Sequence, residues 1–205
     1  VLLHLEQVSK SFKGLRAVQS VTASVAEGEI LGLIGPNGAG KTTLFNLITG
    51  FYRADTGRIV FQGRDITRLS ADQRCKRGIA RTFQLVRPFP ELTVLQNVAV
   101  GRVYGGEPAR TIRQAEAGAR ETLEFVGMAG RSAERARHLT LVDRKRLELA
   151  RALATRPALI LLDELLAGLN PSEVLAAMEL IRRIRDSGVT VIMVEHLVKA
   201  VFGIS

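Results

Sequence analysis

The chain has 205 residues, 46% of them hydrophobic and 24% charged, a globular composition that excludes a disordered protein. A folded chain of this length buries about 70% of the surface its unfolded form exposes, so no staple is required, and the single Cys75 points to a reducing compartment. The net charge of +9 is compatible with nucleic acid, an acidic membrane surface or a phosphorylated ligand, but the arginines are scattered, which reads as solvated surface.

Residues 1 to 34 read as strands and turns, with Leu3, Leu5, Val8 and then Val18, Val21 and Val25 loosely alternating and Ile30 to Ile34 forming a short apolar strand. Gly35 to Gly40 breaks the pattern, and Lys41 to Thr49 follows as a helix with Leu44, Leu47 and Ile48 on one face. A strand is expected at Arg58 to Gln62, and Ser70 with Gln73 marks a capping box for a short helix ending at Gly78. Ile79 to Phe83 reads as a strand. Residues 88 to 155 carry helical patterns and almost no strand signal, so a mainly helical insertion is expected there. Strand-like runs return at Ala158 to Leu162 and Val189 to Glu195, around a helix opened by Asn170 as cap, Pro171 at N1 and Glu173 at N3. This alternation implies an α/β fold with a parallel sheet. No apolar run reaches the roughly 18 residues of a membrane-spanning helix. The opening Val1 and the apolar stretch running to Ser205 suggest that both ends are cut from a longer protein.

Gly35-Pro36-Asn37-Gly38-Ala39-Gly40-Lys41-Thr42 fits GxxxxGK[ST] between a strand and a helix, the context expected of a phosphate-binding loop. Its backbone N–H groups would turn toward a β-phosphate, Lys41 would reach the β- and γ-phosphates, and Thr42 would offer a hydroxyl to Mg²⁺. The bland alternative is a Gly-rich linking turn. Leu159 to Leu162 deliver Asp163 and Glu164 to the carboxyl end of the sheet, the ligand end of a doubly wound fold. There Asp163 would hold Mg²⁺ through water and Glu164 would polarise the attacking water; alone, the pair reads equally as two solvated acids. Lys41 and Glu164 are expected at the ends of adjacent strands. His196 follows a strand at the same edge and would contact a γ-phosphate, and Gln84 ends another and would touch metal or water. Phe12 reads as a core or turn aromatic or as an adenine-stacking ring.

These residues resemble the ATP-binding subunit of an ABC transporter, and the resemblance runs through the whole chain. Ala80 to Gln84, Glu91 to Asn97, Ala167 to Pro171 and Val194 to His196 are similar to the importers of branched-chain amino acids. The resemblance implies a P-loop NTPase core over 1–85 and 156–205, with a small antiparallel β subdomain and an inserted helical subdomain over 86–155. It implies Phe12 as the adenine-stacking aromatic, residues 35–43 including Thr43 as nucleotide-binding, Gln84 as the Q-loop glutamine, Glu164 as catalytic base and His196 as switch histidine, with Thr42, Gln84 and Asp163 toward the metal. ATP and Mg²⁺ are the implied ligands. Membrane permease subunits, a second ATP-binding subunit and, indirectly, a substrate-binding protein are the implied partners at the cytoplasmic face of the membrane, with no nucleic acid expected.

Three features depart from the family pattern. The signature, usually Leu-Ser-Gly-Gly-Gln, reads Leu139-Thr140-Leu141-Val142-Asp143; Leu165 stands where proline is usual, and Asn170 where aspartate is. In the family the signature closes on the nucleotide of the opposing subunit. Asp143 would either weaken that contact by its charge or serve as N-cap of the helix running to Thr155. The atypical signature also suits a heterodimer with unequal sites, or a nucleotide-gated interaction protein with little turnover. A soluble ATPase of this type acting on nucleic acid or the ribosome is a further alternative. The helical insertion is expected to dock the permease, with Gln84 and residues 85–91 as the hinge.

Overall fold

The computed structural model describes residues 1–83 and 87–195; Gln84, residues 85–86 and His196 onward, and with them the roles expected of Gln84, His196 and part of the hinge, lie outside the described residues. Strands β1 (Leu3–Phe12) and β2 (Leu15–Val25) form a hairpin whose two-residue turn places Lys13 and Gly14 at φ 46° and 87°, the pair of positive values that a type I′ turn demands. Strand β4 (Thr56–Phe61) pairs antiparallel with β1, and the two-residue β5 (Arg64–Asp65) completes the order β2-β1-β4-β5. Leu3, Leu5, Ile59 and Phe61 are buried while intervening residues are half-buried or exposed, so one face of this sheet is packed.

The second sheet is parallel, with β3 (Ile30–Leu33), β6 (Ile79–Arg81), β7 (Leu159–Asp163) and β8 (Thr190–Val194) in the order β3-β8-β7-β6. Leu159, Leu161, Ile192 and Val194 face a core shared with helix α1 (Lys41–Thr49) and the antiparallel sheet. Their neighbours Ile160, Leu162, Val191 and Met193 face the other core, with helices α3 (Val94–Tyr104), α4 (Ile112–Phe125), α5 (Leu141–Leu153) and α6 (Pro171–Asp186). Burial on both faces explains why these strands read as continuous apolar runs, each large side chain contributing about 1.5–3 kcal/mol.

Polar local chemistry sets the helix starts. Ser70 donates its N–H to Gln73 Oε1 at 3.0 Å ahead of α2 (Ala71–Lys76), and Thr93 and Gln96 form a reciprocal capping box on α3. Asn170 and Glu173 do the same on α6, behind Pro171.

Two expectations are corrected here. Strand β6 stops at Arg81 rather than Phe83: Thr82 still donates its N–H to the Leu161 carbonyl at 2.9 Å, and the Phe83 N–H goes to Glu148 Oε1 at 2.5 Å on helix α5. The strands leading to Lys41 and Glu164 are not neighbours either: β8 lies between β3 and β7. Both still open on the same carboxyl edge, since all four strands are parallel.

Candidate functional site

The glycine-rich loop leaves β3 and enters α1. Gly40 is the N-cap residue at φ 87°, where a Cβ would overlap the Ala17 carbonyl oxygen, so only glycine fits. Among the described residues no side chain caps α1, and no acidic residue sits in its first turn, so the N–H groups of this helix start could receive an anion. Lys41 Nζ folds back over the loop and donates to the carbonyls of Gly35 at 2.7 Å and Pro36 at 2.9 Å. The ammonium is thereby held above the turn where phosphate oxygens would meet it.

Residues 37–43 wall a cleft of about 380 Å³ together with Phe12, Leu15, Arg16, Ala17 and Glu164, a size within the usual small-molecule range of about 300–1,000 Å³. Phe12 is at the end of β1, 38% exposed, edge-on to Tyr52 at 5.1 Å with Lys10 Nζ 5.5 Å from its ring. It is therefore a cleft-wall ring rather than a core residue. Leu15, Arg16 and Ala17 were not singled out in the sequence; the hairpin turn at Lys13 and Gly14, which folds β2 back beside Phe12, is the signal that would have found them.

Asp163 is the last residue of β7 and is almost wholly buried. Arg81 Nη2 holds its Oδ2 at 2.6 Å, while Arg81 Nη1 bonds Asn46 of α1 and the guanidinium lies 5.6 Å and 5.2 Å from the rings of Phe45 and Phe83. This pairing across β6, β7 and α1 has no sequence signal, because its members are 35 and 82 positions apart. Glu164 follows at φ 50°, its N–H donating to the Val194 carbonyl at 3.0 Å. Thus Phe12, the loop, Lys41, Thr42, Thr43 and Glu164 share one cleft, and Asp163 lies immediately behind Glu164.

Thr140 to Asp143 lie apart from that cleft, at the start of α5. The N-cap is Thr140, not Asp143: its Oγ1 accepts the Asp143 N–H at 3.3 Å, so α5 begins at Leu141 and Asp143 occupies N3. The helix ends at Leu153, short of Thr155. Asp143 is instead ion-paired to Arg131, which also holds Glu134 at 2.8 Å, and it accepts the Thr140 hydroxyl at 2.5 Å. Burial alone would raise the Asp143 carboxyl, but the bonds from Thr140 and Arg131 outweigh it and bring it below its ordinary value. Asp143 is therefore held ionised and shares the Arg131 charge with Glu134. Leu141, half-exposed, approaches Gly168, so the start of α5 borders the turn ahead of α6.

A second cavity of about 340 Å³ lies between α2, β6, α3 and α5, walled by Phe51, Cys75, Phe83, Val100, Tyr104 and Arg151 among others. Burial pushes the Cys75 thiol up, so it is the less reactive protonated form that faces this groove. Arg151 donates to the Arg87 carbonyl at 3.0 Å and stacks 4.9 Å from the Phe89 ring, fastening the segment that enters α3 onto α5. Among the described residues no helix is long and apolar enough to cross a membrane.

A parallel sheet whose edge sets a glycine-rich GxxxxGKT loop near two adjacent acids, flanked by an antiparallel sheet and inner helices, is the arrangement of the P-loop ATPase cassettes as a class. The family model described as ABC transporter matches residues 18–167. Over its full length the chain is 40% identical to the high-affinity branched-chain amino acid transport ATP-binding protein LivG of Salmonella typhimurium, spanning 85% of that protein. It is 38% identical to the corresponding BraF protein of Pseudomonas aeruginosa, again over 100% of this chain and 85% of the relative. A nucleotide-free ATP-binding cassette from an ABC transporter superposes with a TM-score of 0.90 at 33% identity, covering 99% of this chain and 84% of the other. A dimeric cassette in a post-hydrolysis state bound to ADP and phosphate gives 0.87 at 25% identity, over 98% and 90%. The chain belongs to the ABC transporter family, alongside its branched-chain amino acid transport ATP-binding proteins.

Proposed function

We propose that this chain binds MgATP in the loop cleft and hydrolyses it, as one of a pair of ATP-binding subunits, to drive a membrane permease importing branched-chain amino acids or similar small nutrients. The single observation that carries the reading is that the ring of Phe12, the phosphate loop with Lys41, and Glu164 wall one cleft although they lie on three separate elements. Adenine stacks on Phe12, and the loop N–H groups and the start of α1 receive the phosphates. Lys41 exchanges its two loop carbonyls for β- and γ-phosphate oxygens, a charge-assisted contact stronger than the one it leaves. Glu164 orients and polarises the attacking water.

The donor set suits Mg²⁺, which is held through one or two protein oxygens plus substrate phosphates: Thr42 and Asp163 would supply them, with Gln84 outside the described residues. When bound, the ion neutralises charge on the β- and γ-oxygens. Arg81 fixes the Asp163 carboxylate toward that task through Oδ2. The Thr140 to Asp143 segment would close on the partner subunit's nucleotide, with Arg131 screening the acid there. The apolar groove between β6, α3 and α5 suits a short amphipathic segment of the permease, and such docking would hold the chain against the inner face of the membrane.

Glu164→Gln should keep ATP affinity and lose turnover by roughly 10² or more. ATP hydrolysis by this variant at the wild-type rate would refute the assignment.

A further inference from the structure

Helix α5 buries two ionisable side chains on neighbouring positions of one face, Lys145 and Glu148. Lys145 reaches out of its own helix: Nζ donates to the carbonyls of Glu164 at 3.3 Å, Leu165 at 3.0 Å and Ala167. An ammonium has three donors, and here they converge on the loop that follows β7. From the far side Glu195, at the end of β8, accepts the Leu166 N–H through Oε1 at 2.9 Å, and the Val194 carbonyl takes the Glu164 N–H. The loop is thus held by its carbonyls from α5 and by its N–H groups from β8.

The conformation so held is a strained one. Glu164 sits at φ 50°, in the left-handed region where a side chain persists only when its surroundings over-determine it. Leu165 adds no ring constraint of the kind a proline would bring. Burying an ammonium is also unfavourable: it lowers the Lys145 pKa, against the opposing pull of Glu195, Glu164 and Glu148.

We propose that Lys145 is a positioning residue for hydrolysis: through the three loop carbonyls it holds Glu164 in its left-handed turn, so that the carboxylate faces the nucleotide cleft, and ties that turn to the helix that begins with Thr140. The inference rests on Glu164 being the group that polarises water. It explains why a buried cation is spent on backbone rather than on an acid, and it makes α5 a strut between the segment facing the partner's nucleotide and the catalytic turn of the same chain.

The test is a double-mutant cycle in the whole protein, with steady-state and single-turnover ATPase as readouts. Lys145→Met should lower kcat by about tenfold or more while KM for ATP changes less than about twofold, and Lys145→Arg, which keeps donors, should recover most of the rate. In the Glu164→Gln background the same substitution should lower the residual rate by less than about twofold, because Lys145 acts through Glu164. Should the methionine variant not fold, Lys145→Gln is read through the same cycle. Equal losses in both backgrounds, or a change in KM with kcat intact, would make Lys145 a packing residue and overturn the proposal. Wild-type turnover by Glu164→Gln alone would instead overturn the functional reading, whatever Lys145 does.

Discussion

Replacing Glu148 by glutamine should stabilise the protein in a pH-dependent way. Burial raises this carboxyl from 4.5 to about 7, against the opposing Phe83 N–H and the charges of Arg151, Lys145 and Arg81 that face it. Its Oε1 accepts the Phe83 N–H, whereas Oε2 is buried with no hydrogen-bond partner among the described residues. A carboxyl whose pKa is raised on folding takes up a proton as the chain folds, so stability falls as pH rises from about 4.5 to about 7 and the full penalty remains above that window. At about 1.4 kcal/mol per pKa unit the penalty is about 3 kcal/mol. Glutamine keeps the shape and the acceptor and removes the charge. The cost of its buried amide is the same at every pH and cancels when two pH values are compared. Thermal unfolding of wild type and Glu148→Gln at pH 5 and pH 8 should show the variant gaining about 6–10 °C more at pH 8 than at pH 5. An equal difference at both pH values would show that Glu148 is not a buried anion, and the reasoning would fail.

Two further outcomes follow from the site. Phe12→Ala should raise KM for ATP by about fivefold, the loss of roughly 1 kcal/mol of stacking, with kcat little changed, while Phe12→Tyr stays near wild type; an unaltered KM in nucleotide titrations would remove Phe12 from the adenine site. Arg131→Ala should unmask Asp143 and lower ATPase of the assembled dimer, and adding Asp143→Asn should restore it; the absence of such rescue would mean that the acid does not approach the partner's nucleotide.

Much of this frame was readable in the residues because backbone chemistry imposed it. A glycine-rich turn that brings Gly40 against the Ala17 carbonyl tolerates few alternatives. Strands β7 and β8, buried on both faces, are continuous apolar runs, and Asn170, Pro171 and Glu173 set the start of α6 by local bonds alone. What escaped depends on pairs distant in sequence. Glu148 takes the Phe83 N–H from 65 positions away, Arg131 engages Asp143 from 12 positions away, and β8 inserts between β3 and β7. Lys145 and Glu148 left a faint mark, two charged residues on the otherwise apolar inner face of α5, but their partners after β6 and after β7 are visible only in three dimensions.

The proposed function depends first on the loop at residues 35–43 being a nucleotide site clamped by Lys41. Calorimetric titration with MgATP and with adenosine, on wild type and Lys41→Ala, tests it most directly. Wild type should bind MgATP, Lys41→Ala should weaken that binding by about tenfold or more, and adenosine should bind both proteins alike, because Lys41 meets phosphate and not base. Unchanged MgATP affinity in Lys41→Ala, or no MgATP binding by wild type, would contradict it.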